Sequence, residues 1–396
     1  VYNEEAASNE YTGRPSGEMS LYTSSMNSSE EHHYRLRMYV TEEYNPQGDG
    51  GGLQFSVKIN VYGKDGDKPP TAVDTLLAKV NAEDLDYNSA SSEQQKEMRT
   101  FTHPATEQTE ALTDYRYIGS APNNYVTFND EVWRIIGVFT VDDGTGNKEE
   151  RIKIIRDERI GRYLWDNKLR GIGSSTSSSG SNNWSDARLN YLLNPRYESE
   201  EIGGSLYWNS GSGTCYSGFS NATESCDFTS TGLKEEAKNM IGDTLWYLGG
   251  ASSYTSDSNG LASHWYSYER GTTVYSGRDT SWVGKVGLMY PSDYGYATSG
   301  GSTTDRKSCL NKELFNWRDV SDCYNNDWLL FNSTTQWTLT SNASSPYNVF
   351  DVYSNGEVNN GITSYKFSVR PVVFLKSNIK IVDGDGSSSN PYILQS

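Results

Sequence analysis

The chain has 396 residues, 29 Tyr and 10 Trp, and a net charge of -17. Its basic residues do not cluster, so the phosphate backbone of a nucleic acid has no footprint to bind and an anionic membrane surface is disfavoured. The aromatics supply large core units, so low overall hydrophobicity does not imply disorder, and no apolar run reaches the length of a membrane span. Along the chain, HYRLRMYV and LQFSVKINVYG alternate apolar and polar residues, the period of half-buried strands with one wet face. They predict an N-terminal β-sandwich-type domain over residues 1–66. Two strands do not make a core, so further strands must come from residues 1–30, from elsewhere in the chain or from another molecule. Val1 in place of Met points to a processed or trimmed start, and a removed signal peptide would account for it.

Residues 67–113 shift in composition and read as a linker. KDGDKPP is a turn or connector, and SSEQQKEMRTF fits a short helix capped by Ser91 or Ser92. The second domain, residues 114–396, opens with a short strand to Ile118 and another over Tyr125–Phe128. Val132–Val141 and Arg151–Arg156 then form a hairpin around DDGTGN. WSDARLNYLLN predicts a helix capped by Ser185, with Leu189, Leu192 and Leu193 on one face. GLKEEAKNMIGDTLWYL carries Leu233, Ala237, Met240, Ile241 and Leu245 at helical spacing. GIGSSTSSSGSNN is a low-complexity connector. Beyond it, Gly-, Ser- and Tyr-rich loops alternate with short apolar strands in KVGLMY, QWTLTS, VFDVYS and FSVRPVVFL.

The four cysteines form two close pairs, Cys215 with Cys226 and Cys309 with Cys323. Even count, proximity and an acidic, hydroxyl-rich surface predict two local disulfides and an oxidising compartment. Zinc does not fit, because no CxxC occurs and the four His are scattered.

Seven stretches, in order, resemble a family of large extracellular proteins of gut-type Firmicutes and related low-GC Gram-positive bacteria. They are NYVTFNDEVWRIIGVF, NWSDARLNYLLN, GLKEEAKNMIGDTLWYLGG, VYSGRDTSWVGKVGLMYPSDYGYA, NNDWL, QWTLTS and SVRPVVFLKSNIKIVDGDGSSSNPYIL. The last two are also similar to C-type-lectin-like domains, including relatives of the formylglycine-generating enzyme. The N-terminal strands are similar to the β-sandwiches of camelysin and TasA-type fibre proteins. The resemblance implies a mostly β protein with an α+β, C-type-lectin-like C-terminal domain. It also implies a terminal strand in a small core sheet, with Pro371 at an edge or bulge and Arg370 turned to a carboxylate or to backbone carbonyls. Both residues read as structural.

No catalytic constellation stands out, so the chain reads as a non-enzyme. His103 lies beside Pro104 in the linker and His264 in the aromatic stretch ASHWYSY, neither placed beside a nucleophile. The paired cysteines suit disulfides rather than the chemistry of the formylglycine-generating relatives. The acid pairs at Asp142-Asp143, Asp65/Asp67 and Asp383/Asp385 adjoin Gly, as turn residues do. VDGDGSSSNPY is similar to a calcium loop but lacks the bidentate Glu. It reads first as a hairpin turn, with calcium as the alternative and no other cofactor or metal expected.

WYSYERGTTVYSGRDTSW and SDYGYATSGGSTTDR crowd aromatics among small residues. Trp265, Tyr266, Tyr268, Tyr275, Trp282, Tyr294 and Tyr296 are the candidates for recognising a glycan or protein, with core packing as the alternative. The expectation is a secreted or wall-associated subunit of a bacterial surface fibre that self-associates through its N-terminal region. A monomeric adhesin is the alternative.

Overall fold

Lys153, a charged residue inside the apolar run IKII, lies at the middle of the largest sheet of the computed structural model. The structure describes residues 33, 69–80, 87–168, 180–324 and 328–396. The chain divides into Val1–Pro69 and Pro70–Ser396, and the helices and strands of the described residues belong to the second unit. The strands expected in HYRLRMYV and LQFSVKINVYG lie outside the described residues, as does most of the low-complexity connector.

In chain order, helix α1 (Ala72–Leu77) precedes β1 (Arg99–His103), β2 (Leu112–Arg116), β3 (Tyr125–Phe128), β4 (Glu131–Asp142), β5 (Lys148–Arg156) and β6 (Gly161–Tyr163). Helix α2 (Arg188–Leu193), the hairpin β7 (Ser212–Tyr216) and β8 (Thr223–Asp227), α3 (Glu235–Met240) and β9 (Thr244–Tyr247) follow. Next come α4 (Ala262–Glu269), β10 (Ser281–Gly284), β11 (Val286–Gly287), α5 (Pro291–Tyr296), α6 (Arg306–Leu310) and α7 (Ser321–Tyr324). The chain ends with β12 (Gln336–Ser341), β13 (Asn348–Val352), β14 (Val358–Ile362), β15 (Phe367–Val369), β16 (Val372–Phe374), β17 (Lys380–Asp383) and β18 (Tyr392–Gln395). The fold is mostly β, with short helices between and around the sheets.

A nine-stranded sheet runs β11-β16-β5-β4-β3-β18-β17, with β2 beside β4 and β1 beside β2. A five-stranded sheet runs β14-β13-β12-β15-β6. Trp133, Ile135, Ile136, Val138 and Phe139 on β4 and Ile152, Ile154 and Ile155 on β5 are all buried, which makes these the central strands. Their turn is the expected DDGTGN. Asp142 Oδ1 accepts the Gly144 and Gly146 amides at 2.7 and 3.1 Å, and both glycines have φ near +90°, where only Gly sits without strain. A bulge between Ile135 and Gly137 bends β4, so its first half pairs with β3 and its second with β2. At Gly137 a Cβ would lie 2.1 Å from the Tyr115 carbonyl oxygen, so the residue must be Gly for β2 to dock.

FSVRPVVFL is two strands. Arg370-Pro371 carries the chain from β15 in the five-stranded sheet to β16 in the nine-stranded one. At the crossing the Arg156 amide donates to the Pro371 carbonyl at 3.0 Å, and the buried Arg370 donates from Nε to the Arg156 carbonyl at 2.8 Å. Pro at a point between sheets forfeits no ladder bond, and Arg370 holds backbone, one of the two partner types expected.

Residues 70–113, read above as a linker, bring α1 and β1 to the second unit. Their apolar residues are few, but Ala72, Val73, Leu76, Met98 and Phe101 are all buried. The expected helix is a short 3-10 turn at Gln94–Lys96 with Glu93, not Ser91 or Ser92, at its N-cap position, while Ser91 exchanges reciprocal bonds with Gln94. The helix expected through WSDARLNYLLN is a 3-10 turn followed by α2, and its cap is the distant Asp166 Oδ1, 3.3 Å from the Arg188 amide, rather than Ser185. The helix expected through GLKEEAKNMIGDTLWYL ends at Met240. Ile241 bridges to Leu375 and the Gly242 amide donates to the Phe374 carbonyl at 2.9 Å, so long-range pairing turns the remainder into β9. Both aromatic stretches expected as loops contain helices, α4 and α5. The two disulfides form as expected, Cys215–Cys226 with Cα atoms 5.8 Å apart and Cys309–Cys323 at 5.4 Å. VDGDGSSSNPY is a turn before β18, where Asp385 Oδ1 accepts the Ser387 amide at 2.9 Å.

Candidate functional site

The C-terminal end of α4 places two consecutive residues in opposite surroundings. Tyr268 is partly exposed and Glu269 is fully buried. Around Tyr268 opens a cleft of about 450 Å³, lined by Ala105, Thr106, Glu107, Ser267, Gly250 and Thr273. Gly271, just past α4, lines it too. Thr106 Oγ1 and the Gln108 amide both donate to the Arg270 carbonyl at 3.1 Å, and Gln108 Nε2 donates to the Gly271 carbonyl at 2.6 Å. On the rim, Glu107 Oε2 accepts from both the amide and the hydroxyl of Thr272 at 2.5 Å. These bonds, the Thr272 hydroxyl's first, lower its carboxyl pKa and keep it ionised. The cleft thus offers one aromatic ring, several hydroxyls and a fixed carboxylate.

Glu269 and Arg270, between the lining residues Tyr268 and Gly271 in sequence, belong to a network of ions that are all buried. On β2, Asp114 and Arg116 pair at 2.7 Å; Arg116 also reaches Asp293 Oδ1 of α5 at 3.0 Å. Lys153 of β5 reaches the other oxygen of Asp293 at 2.5 Å. Glu269 accepts the Ser292 amide at 2.8 Å and its hydroxyl at 2.5 Å, with Arg270 at 3.3 Å. His103 stands 3.1 Å from Asp114 and stacks on Tyr266 with ring centres 3.6 Å apart. The Arg270 guanidinium lies 3.7 Å from the centre of the same Tyr266 ring.

Burial and neighbours divide the titrations. Burial pushes Asp114 up, but Arg116, His103 and Arg270 outweigh it and hold it at about 2. Burial likewise opposes Asp293, and Lys153 and Arg116 win there too. Burial wins at Glu269, which is pushed up to about 7 against Arg270 and Ser292. It also lowers His103 and Lys153. The network can therefore take up a proton near neutrality, while its charged atoms stay away from solvent.

Of the seven aromatic candidates, Trp265, Tyr266, Tyr294 and Tyr296 are core residues and present no face to a ligand. Tyr294 donates its hydroxyl to the Gly356 carbonyl at 2.8 Å, and Tyr296 packs on Phe101 and His103. Trp282 pairs with Trp246 across β10 and β9, and Tyr275 lies under Arg278. Only Tyr268 of the seven lines the cleft. Glu107 and Thr106 carry no local signal that marks them out. The ion network did leave one, a lysine at the centre of an apolar strand run. Among the described residues no group of His, Cys, Asp or Glu is placed to hold a metal ion, and no helix is long and apolar enough to cross a membrane. Comparison of the chain with protein-family models, with curated proteins and with solved structures finds no match to any of them.

Proposed function

We propose that the chain is a secreted or wall-associated surface protein whose second unit, C-type-lectin-like in character, binds a glycan in the cleft beside Tyr268. The observation that carries this reading is the pairing of a partly exposed aromatic ring with an ionised carboxylate and hydroxyls around a cleft of about 450 Å³. A pyranose offers an apolar face to the ring and hydroxyl donors to Glu107, Ser267 and Thr273. Two disulfides support an oxidising compartment. The test is a glycan array probed with the full chain and with Tyr268→Ala and Glu107→Ala. Binding that both variants lose supports the cleft. Absence of any glycan bound, or binding that both variants retain, removes it. A second reading, a fibre subunit with an N-terminal β-sandwich, is favoured by the alternating pattern of residues 31–66 and is tested by mass rather than by ligand.

A further inference from the structure

Lys153 and Asp293 meet in a setting that ordinary ion pairs do not have. They lie 140 positions apart in sequence, and Nζ stands 2.5 Å from Oδ2. Lys153 is 1% exposed and Asp293 2%. The walls are aromatic, with Nζ 4.5 Å from the Tyr290 ring centre and 5.4, 5.5 and 5.9 Å from those of Phe139, Phe374 and Trp246. An amine and a carboxyl held in contact gain the large effective concentration of an intramolecular reaction. Excluding water removes the reagent that would reverse an amide bond.

We propose that Lys153 and Asp293 condense without an enzyme into an isopeptide bond, Nζ to Cγ, that ties the centre of β5 to α5. Nζ first passes a proton to Oδ2 along the existing hydrogen bond, which frees the nitrogen electron pair. That pair attacks Cγ, one covalent bond beyond Oδ2. The Cγ–Oδ2 bond breaks, and Oδ2 departs as water with a second proton from Nζ. Ammonium and carboxylate become a secondary amide and one water, with no oxidant, reductant or co-reactant. Arg116, 3.0 Å from Oδ1, holds the oxygen that becomes the amide carbonyl and stabilises the charge it gains in the tetrahedral intermediate.

The surrounding charges favour the change. Burial lowers the Lys153 pKa, which assists release of its proton. Lys153 and Arg116 keep Asp293 ionised against burial, so the ion pair is the starting state. Condensation removes one cation and one anion together. Asp114 with Arg116 and Glu269 with Arg270 remain as balanced pairs, and the desolvation cost of the lost ion pair disappears.

The test is the intact mass of the denatured full chain, followed by protease mapping. The expected mass is one water below that of the disulfide-bonded sequence, with a branched peptide joining the segments that hold Lys153 and Asp293. Lys153→Arg keeps the cation, lacks the amine and should regain the full mass. A wild-type mass without the loss and linear peptides at both positions overturn the proposal. So does a water loss that maps elsewhere, for instance to a succinimide at Asp143-Gly144. If Lys153→Arg does not fold, the wild-type peptide map decides alone.

Discussion

Glu269 carries the conflict that burial imposes on one carboxyl. Released in the unfolded chain near 4.5, its proton is held in the fold to about 7. Between those values the folded state keeps a proton that the unfolded state has lost, so raising the pH across this window destabilises the fold. Asp114 runs the other way. Its folded value of about 2 lies below the ordinary 3.8, so its contribution is present above 3.8 and is lost as pH falls towards 2. Glu269→Gln imitates the protonated acid at every pH. Its stability relative to wild type should therefore rise between pH 4.5 and 7, by on the order of 3 kcal/mol. Urea melts of both proteins across that range measure the difference. A gap that does not change with pH would sink this account of Glu269.

Arg370 and Pro371 show how one short stretch can serve two sheets. The Arg370 guanidinium also lies 5.1 Å from the Phe331 ring centre, so the side chain pins the crossing from both a carbonyl and an aromatic face. Arg370→Ala leaves the Arg156 carbonyl without this donor in a buried place and should cost roughly 1–3 kcal/mol. Denaturant unfolding checks the loss, and glycan binding at low temperature should survive it. A variant that melts like wild type but no longer binds would make Arg370 a ligand residue. The elements that sequence reasoning finds correctly are those with local causes. The β4–β5 hairpin follows from alternating apolar runs around an Asp/Gly turn, and the disulfides follow from close spacing. The errors lie where distant pairing decides. β9 is a strand because it pairs with β10, Thr244 opposite Gly284 and Tyr247 opposite Ser281, after Ile241 has bridged to Leu375, although its apolar residues continue a helical spacing. β1 pairs β2 with His103 opposite Leu112, although its flanks read as a linker. The cleft has the same origin. Glu107 and Tyr268 come from separate stretches, and nothing in either anticipates the other.

At the scale of the whole molecule, the net charge and the alternating pattern of the N-terminal sequence act against each other. A chain at -17 repels its copies, while an alternating strand with a free edge recruits partners. The sequence of residues 31–66 carries two alternating patterns of the kind strands have, and residues 1–30 add only YTGRP and MSLYTS as candidates for more. A two-stranded ribbon is marginal in water. We propose that strand addition between copies completes the N-terminal β-domain and buries Phe55, Val57, Ile59 and Val61. Salt screens the repulsion over roughly 10 Å at 0.1 M, so assembly should strengthen as salt rises. Light scattering on the full chain should give a mass that grows with protein and salt concentration, and deletion of residues 1–30 should lower it. The rival arrangement draws on residues 63–114 to close the same sheet within one chain, although α1 and β1 give most of that stretch to the second unit. It gives a monomer at every concentration, with or without the deletion, and that result would leave glycan binding at the cleft as the function of a solitary surface protein.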